Sequence, residues 1–278
     1  MREIDLTLPD GRRLHAYDTG GTDLPVFWQH GTPNLGTPPE PLFEAADRLG
    51  IRWVSHNRPA YGNSTRKPGR SVGDVAADIA HVADELGIER FGVMGHSGGG
   101  THAVACAAQL PDRVLAAVDC SGLAPFGADG LDWFGGMGSV GIRSLRAATQ
   151  GVEAKTAYEA SPEAEAMPDF TDADFAALEG RWGWLGKIAG AAIQGGPDGL
   201  IDDDLSAVTP WGCDPATIAV PLLVVHGEDD RVVPVGHGVW LAEHCPGAEF
   251  WSRPGDGHIS VLAAAEPALT WLRDHAGR

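Results

Sequence analysis

The chain has 278 residues, 43% of them hydrophobic and 21% charged, with 20 Lys and Arg against 38 Asp and Glu for a net charge of -18. That length fits one large domain, or a core carrying an inserted segment, and the composition excludes a disordered or collagen-like chain. Nucleic acid and anionic membrane surfaces are disfavoured as partners, because a polyanion would have to be held by few cations set among many acids.

No apolar run approaches the roughly 18–20 residues that a membrane span requires. Residues 1–11 alternate polar and apolar side chains, which predicts a strand entering a turn at Asp10-Gly11 rather than a secretory leader. Cys106, Cys120, Cys213 and Cys245 are scattered with no CxxC pair. They read as buried thiols in a reducing compartment, with a disulfide left open by spacing alone, and the expected location is cytoplasmic.

Residues 24–28 form a short apolar strand ahead of His30-Gly31; 38–49 suits a helix and 51–55 a second strand. Over 74–86, Val75, Ile79, Val82 and Leu86 recur at steps of three and four, an amphipathic helix closed by Gly87. A strand at 90–94, an Ala-rich helix at 98–110 and a strand at 114–118 follow. The rhythm then stops, with no convincing strands, many glycines and helical Ala/Glu patches such as 153–160 and 172–178. It resumes with a strand at 220–225, a helix at 235–244, a strand at 249–252 and a helix at 267–275. The alternation predicts an α/β core made of 1–122 and 213–278, interrupted by a helical insertion at 123–212.

Gly95-His96-Ser97-Gly98-Gly99 matches G-x-S-x-G. A chain of this composition would produce such a pentapeptide by chance about 0.2 times, so its context carries the weight. It follows a strand and opens a helix, as a nucleophile elbow must, with small neighbours that allow a sharp turn. A Gly-rich turn that binds phosphate or nothing is the plainer possibility. A serine hydroxyl needs a base and an orienting acid. His258 lies in a Gly-rich loop after the last strand, and either Asp229 or Asp230 follows the strand at 220–225. The order Ser, Asp, His is the one expected of this kind of triad, against the plainer readings of a solvated loop histidine and a capping aspartate. His30-Gly31-Thr32-Pro33 follows a strand, and the amides of Thr32 and Gly98 are the natural oxyanion donors, since Pro33 has none to give.

These motifs resemble the α/β-hydrolase superfamily over about 2–121 and 213–278: the His30-Gly31 turn, the 95–99 elbow, the 227–234 acid loop and Gly257-His258. The segment 58–64 resembles that family's D-x-R-G-x-G-x-S turn, with Asn57 nearby. The resemblance implies an eight-stranded, mostly parallel sheet flanked by helices, with a helical cap, and a cofactor-free, carboxylesterase-like serine hydrolase. It also favours Asp230 over Asp229, because the family's acid usually stands four residues before the proline. Ser97 departs from the epoxide hydrolases and haloalkane dehalogenases, which carry Asp at the elbow. Thr32 and Asn34 depart from the H-G-G-P-G of proline iminopeptidases, and an aminopeptidase of that type would need an acidic cap group for the substrate ammonium. The same motifs also fit a lactonase, a C–C bond hydrolase, an acyl transferase or an inert ligand-binding receptor.

Gly136-Met137-Gly138-Ser139-Val140-Gly141 is a formal G-x-G-x-x-G with no strand before it, so it fails as a dinucleotide fingerprint. No cluster has zinc-ligand spacing, and neither metal nor cofactor is expected. Several tryptophans fall in the cap; Trp133 and Trp184 are candidates to line an apolar acyl or aromatic pocket, against plain packing. The run Asp202-Asp203-Asp204 reads as a solvated turn or helix cap. The expected partner is a small acyl substrate, with no nucleic acid and no membrane; a homodimer is left open.

Overall fold

The computed structural model describes residues 1–277. Its strands are β1 (Arg2–Thr7), β2 (Arg13–Asp18), β3 (Leu24–Gln29), β4 (Ile51–His56), β5 (Phe91–His96), β6 (Val114–Cys120), β7 (Leu222–Gly227) and β8 (Glu249–Arg253). They form one sheet in the order β1-β2-β4-β3-β5-β6-β7-β8, antiparallel at β1–β2 and β2–β4 and parallel elsewhere. The helices are α1 (Phe43–Leu49), α2 (Val75–Glu85), α3 (Gly98–Gln109), α4 (Ser139–Thr149), α5 (Val152–Glu159), α6 (Asp172–Glu179), α7 (Gly183–Gln194), α8 (Asp198–Ala207), α9 (Val235–His244) and α10 (Ala265–Ala276). Five of them, α4 to α8, lie between β6 and β7 as a helical insertion. No helix among the described residues is long and apolar enough to cross a membrane.

Every residue of β5 is buried, because helices cover both faces of the parallel part of the sheet. Alternate β5 side chains enter different apolar clusters. Val93 packs with Val75, Ile79 and Val82 of α2 and Val104 of α3, whereas Met94 packs with Leu269 and Leu272 of α10.

Two sequence expectations need amendment. The apolar pattern does not announce β2, because Arg13, His15 and Asp18 interrupt it. In the sheet two of those polar groups are paired with charged neighbours: His15 with Asp5 at 2.7 Å and Asp18 with Arg52 at 2.8 and 2.9 Å. The run Asp202–Asp204 is no solvated turn; it lies inside α8 with Asp202 and Asp203 buried.

The chain runs from β3 outward to β4 and returns to β5 on the other side of β3, so the strand order reverses between β3 and β5. Open α/β sheets place their sites at the carboxyl ends of strands beside such a reversal. The loops after β3, β5, β7 and β8 carry Thr32, Ser97, Asp230 and His258 respectively.

Candidate active site

Ser97 stands between β5 and α3 with φ 58° and ψ -131°, a conformation that costs a non-glycine residue on the order of 1–3 kcal/mol. The turn is tight enough that its flanking glycines have no substitute. A Cβ on Gly95 would collide with the Gly99 carbonyl, and one on Gly99 with the carbonyls of Gln29 and His30. The Gly100 and Thr101 amides donate to the Ser97 carbonyl at 2.8 and 3.3 Å, which ties the elbow to the first turn of α3.

His258 and Asp230 form a buried pair, with Nδ1 to Oδ2 at 2.7 Å. Asp229 is exposed, so of the two neighbouring acids only Asp230 reaches the histidine. The other Asp230 oxygen accepts from the Val232 and Val233 amides, both at 2.8 Å. Burial opposes ionisation of Asp230, but His258, His226 and the Val233 amide outweigh it and hold the carboxyl below its ordinary range. The Asp230 carboxylate therefore fixes the proton of His258 on Nδ1 and leaves Nε2 as the free ring nitrogen. His96, next to Ser97, donates from Nε2 to the His258 carbonyl at 2.8 Å, and the two rings stand 4.9 Å apart. Burial and the adjacent His258 push the His96 pKa down to about 3, so it is a neutral donor. Neither the Ser97 hydroxyl nor His258 Nε2 has a hydrogen-bond partner among the described residues. Such bonds are often loose before substrate binds.

The turn after β3 packs directly on the elbow: a Cβ on Gly98 would stand 2.7 Å from Thr32 Oγ1 and 3.8 Å from the Thr32 nitrogen. Neither the Thr32 nor the Gly98 amide donates to another backbone group of the described residues. An unspent N–H at the N-terminus of α3 and another in the turn packed on it are donors of the kind that can meet developing negative charge.

A buried ionic network holds that turn. Arg58 donates to the carbonyls of His30 and, at 3.0 Å, Gly31, and to the Thr32 hydroxyl at 3.1 Å. Its counter-charge is Asp203 of α8, which it reaches at 2.7 Å. Asp203 also accepts from the Thr32 hydroxyl at 2.6 Å, Tyr61 at 2.7 Å and Arg70 at 2.6 Å. Burial works against this carboxylate, yet Arg58 and Arg70 keep it well below the ordinary range. His30 donates from Nδ1 to the Gly31 carbonyl at 2.8 Å and accepts the Arg58 amide on Nε2 at 3.1 Å, a neutral ring that burial and Arg58 both favour. The neighbouring acids are paired as well: Asp202 with Arg66 at 2.9 Å, and Asp204 with Lys155 at 2.6 Å. None of these partners was legible, since Arg58 and Asp203 are 145 residues apart.

A cavity of about 660 Å³ opens on Ser97, Gly98 and Thr32. Its wall is largely apolar, with Leu123, Val140, Leu145, Ile193 and Leu200 all from the segment between β6 and β7. Trp133 and Trp184 do not line it. Trp133 packs with Met137, Leu145 and Val233, its indole N–H given to the Ala124 carbonyl at 2.9 Å, and Trp184 packs with Leu185 and Ile188. Burying large indoles satisfies both without a substrate.

A family profile described as the alpha/beta hydrolase fold matches residues 25–137. The bifunctional esterase/perhydrolase of Acinetobacter calcoaceticus is 28% identical over 273 residues, covering 94% of this chain and 95% of that protein. The 2-hydroxy-6-oxo-6-phenylhexa-2,4-dienoate hydrolase of Burkholderia cepacia is 26% identical, covering 88% and 85%. Among solved structures, the enol-lactonase of Burkholderia xenovorans LB400 superposes with a TM-score of 0.73 at 21% identity, covering 99% of this chain and 100% of that one. With the sheet order and the elbow, these matches show that the chain has the α/β-hydrolase fold and is similar along most of its length to hydrolases.

Proposed function

We propose that the chain is a serine hydrolase that cleaves an ester or related acyl bond, carboxylesterase-like in chemistry. The observation that carries this reading is the buried Asp230–His258 pair set against the strained Ser97 elbow. Ser97 Oγ attacks the carbonyl carbon while His258 Nε2 takes its proton. The oxyanion is met by the Thr32 and Gly98 amides. Collapse of the tetrahedral adduct expels the alcohol, which receives the proton from His258. A water deprotonated by the same nitrogen then releases the acid and restores Ser97.

In this reading the insertion, residues 123–212, is a cap whose apolar wall accommodates a hydrophobic acyl or alcohol group. The esterase/perhydrolase relative supports ester chemistry ahead of the other reactions of the superfamily. An aminopeptidase would need a free carboxylate in the cap for the substrate ammonium. Glu159 and Asp204 line the cavity and are engaged by Lys155, at 2.5 and 2.6 Å, whereas Glu165 and Asp169 line it with no cation paired to them among the described residues. Ester chemistry stays ahead on the largely apolar wall, and those two carboxylates make the aminopeptidase the second reading to test.

The test is hydrolysis of a p-nitrophenyl ester series beside prolyl and alanyl p-nitroanilides. The expected result is ester turnover that rises with acyl length and is lost in Ser97→Ala. Anilide turnover without ester turnover would replace this reading with the aminopeptidase one.

A further inference from the structure

We infer that Asp174 of the cap is a positioning residue for the reaction, holding the backbone of the base loop so that His258 Nε2 faces Ser97. The inference rests on His258 being the base. Asp174 lies at the third position of α6 and shares a capping box with Thr171: its carboxylate accepts the Thr171 amide at 3.0 Å, and its amide donates to the Thr171 hydroxyl at 3.2 Å. A capping box requires nothing more. Yet the same carboxylate reaches out of the helix and accepts three consecutive amides of the base loop: His258 at 3.2 Å, and Ile259 and Ser260 at 2.8 Å each. It also accepts the Ser260 hydroxyl at 2.9 Å. Gly257 is part of the fit, because a Cβ there would collide with the Asp174 carboxylate.

These contacts complete the restraints on His258. Its amide is held by Asp174, its carbonyl by His96 and its Nδ1 by Asp230, which leaves Nε2 as the one unspent polar atom. Asp230 orients the ring about its own bonds, but the origin of the side chain is set by the backbone. Three successive amides converging on one carboxylate fix that backbone, as an anion fixes a nest. The geometry of the base therefore depends on a residue of the cap, 84 positions away in sequence. A displacement of the reacting atoms by 1 Å costs on the order of 10²-fold in rate.

The experiment compares Asp174→Ala, Asp174→Asn and Thr171→Ala with the wild-type chain. It uses p-nitrophenyl butyrate turnover and the downfield proton resonance of the His258 Nδ1–H bond to Asp230. Asp174→Ala is expected to lose on the order of 10²-fold in kcat with KM unchanged, and to shift or broaden the resonance. Asp174→Asn, which keeps one acceptor oxygen, should recover part of the rate and serves alone if the alanine variant does not fold. Thr171→Ala breaks the capping box but not the loop contacts and should keep the wild-type kcat. An unchanged resonance and kcat in a folded Asp174 variant, or an equal loss in Thr171→Ala, would overturn the inference. Turnover that survives His258→Ala would instead refute the proposed function on which it rests.

Discussion

Replacing Asp230 by Asn changes one atom that faces the base and leaves the rest of the acid's bonding intact. The Asn oxygen can still accept the Val232 and Val233 amides at the Oδ1 position. The new NH₂ then faces His258 Nδ1 at the 2.7 Å position, where two donors cannot meet. The ring must move its proton to Nε2, and the nitrogen that should receive the Ser97 proton no longer has a free lone pair. A wrong tautomer of this kind lowers kcat by about 10⁴, or about 5.5 kcal/mol of barrier. The stability cost should be small, about 1 kcal/mol, because one hydrogen bond is weakened rather than orphaned. Asp230→Ala separates the two effects: it abandons the buried Val233 amide, at about 1–3 kcal/mol, and the partly buried Val232 amide while removing the same catalytic partner. The assay is ester turnover at saturating substrate, paired with urea unfolding of both variants. An Asn variant that turns over at close to the wild-type rate, with unchanged stability, would refute the assignment of Asp230.

Asp119, buried under the first turn of α3, has one unpartnered carboxylate oxygen, and burial raises its pKa to about 7. Its folded pKa lies above the unfolded value, so its contribution to stability is full at low pH and is lost as pH rises from about 4 to about 7. Asp119→Asn should therefore raise the melting temperature at about pH 8, an advantage of up to about 4 kcal/mol that disappears toward about pH 4; a pH-independent difference in thermal scans would contradict this. Lys155, fully buried between Glu159 and Asp204, neutralises two carboxylates, so Lys155→Met should cost about 3–5 kcal/mol in denaturant unfolding; a neutral outcome would mean that those acids find other partners. Gly99→Ala forces a methyl group into the Gln29 and His30 carbonyls and should lower stability by about 3 kcal/mol; an unchanged melting temperature would show that the elbow has more room than its geometry indicates.

The parts of the fold that could be read in advance have local causes. Helices α2 and α9 and strands β3 and β4 follow from the spacing of apolar residues within each segment. Ser97, Thr32, Gly98, Asp230 and His258 each sit in a short motif next to a strand end, and the structure brings those strand ends together. What escaped is settled by distant partners. Strand β2 hides behind polar residues whose ion pairs lie on other strands. Helix α7 opens on Gly183 and carries Gly186 and Gly190 in its interior, and α8 carries three consecutive aspartates whose counter-ions come from Arg66, Arg58, Arg70 and Lys155. Asp174 reads locally as a capping residue, and only the folded chain shows the base loop resting on it. Trp133 and Trp184 illustrate the reverse: aromatic side chains in a cap invite a substrate role, but packing alone accounts for them.

The central claim is that Ser97 is a nucleophile activated by His258. Incubation of the native chain with a fluorophosphonate, followed by peptide mapping by mass spectrometry, tests it most directly. The expected result is a single phosphonyl adduct on the peptide containing Ser97, absent from Ser97→Ala and strongly slowed in His258→Ala. A folded native chain that forms no adduct, or forms one on another residue, would contradict it.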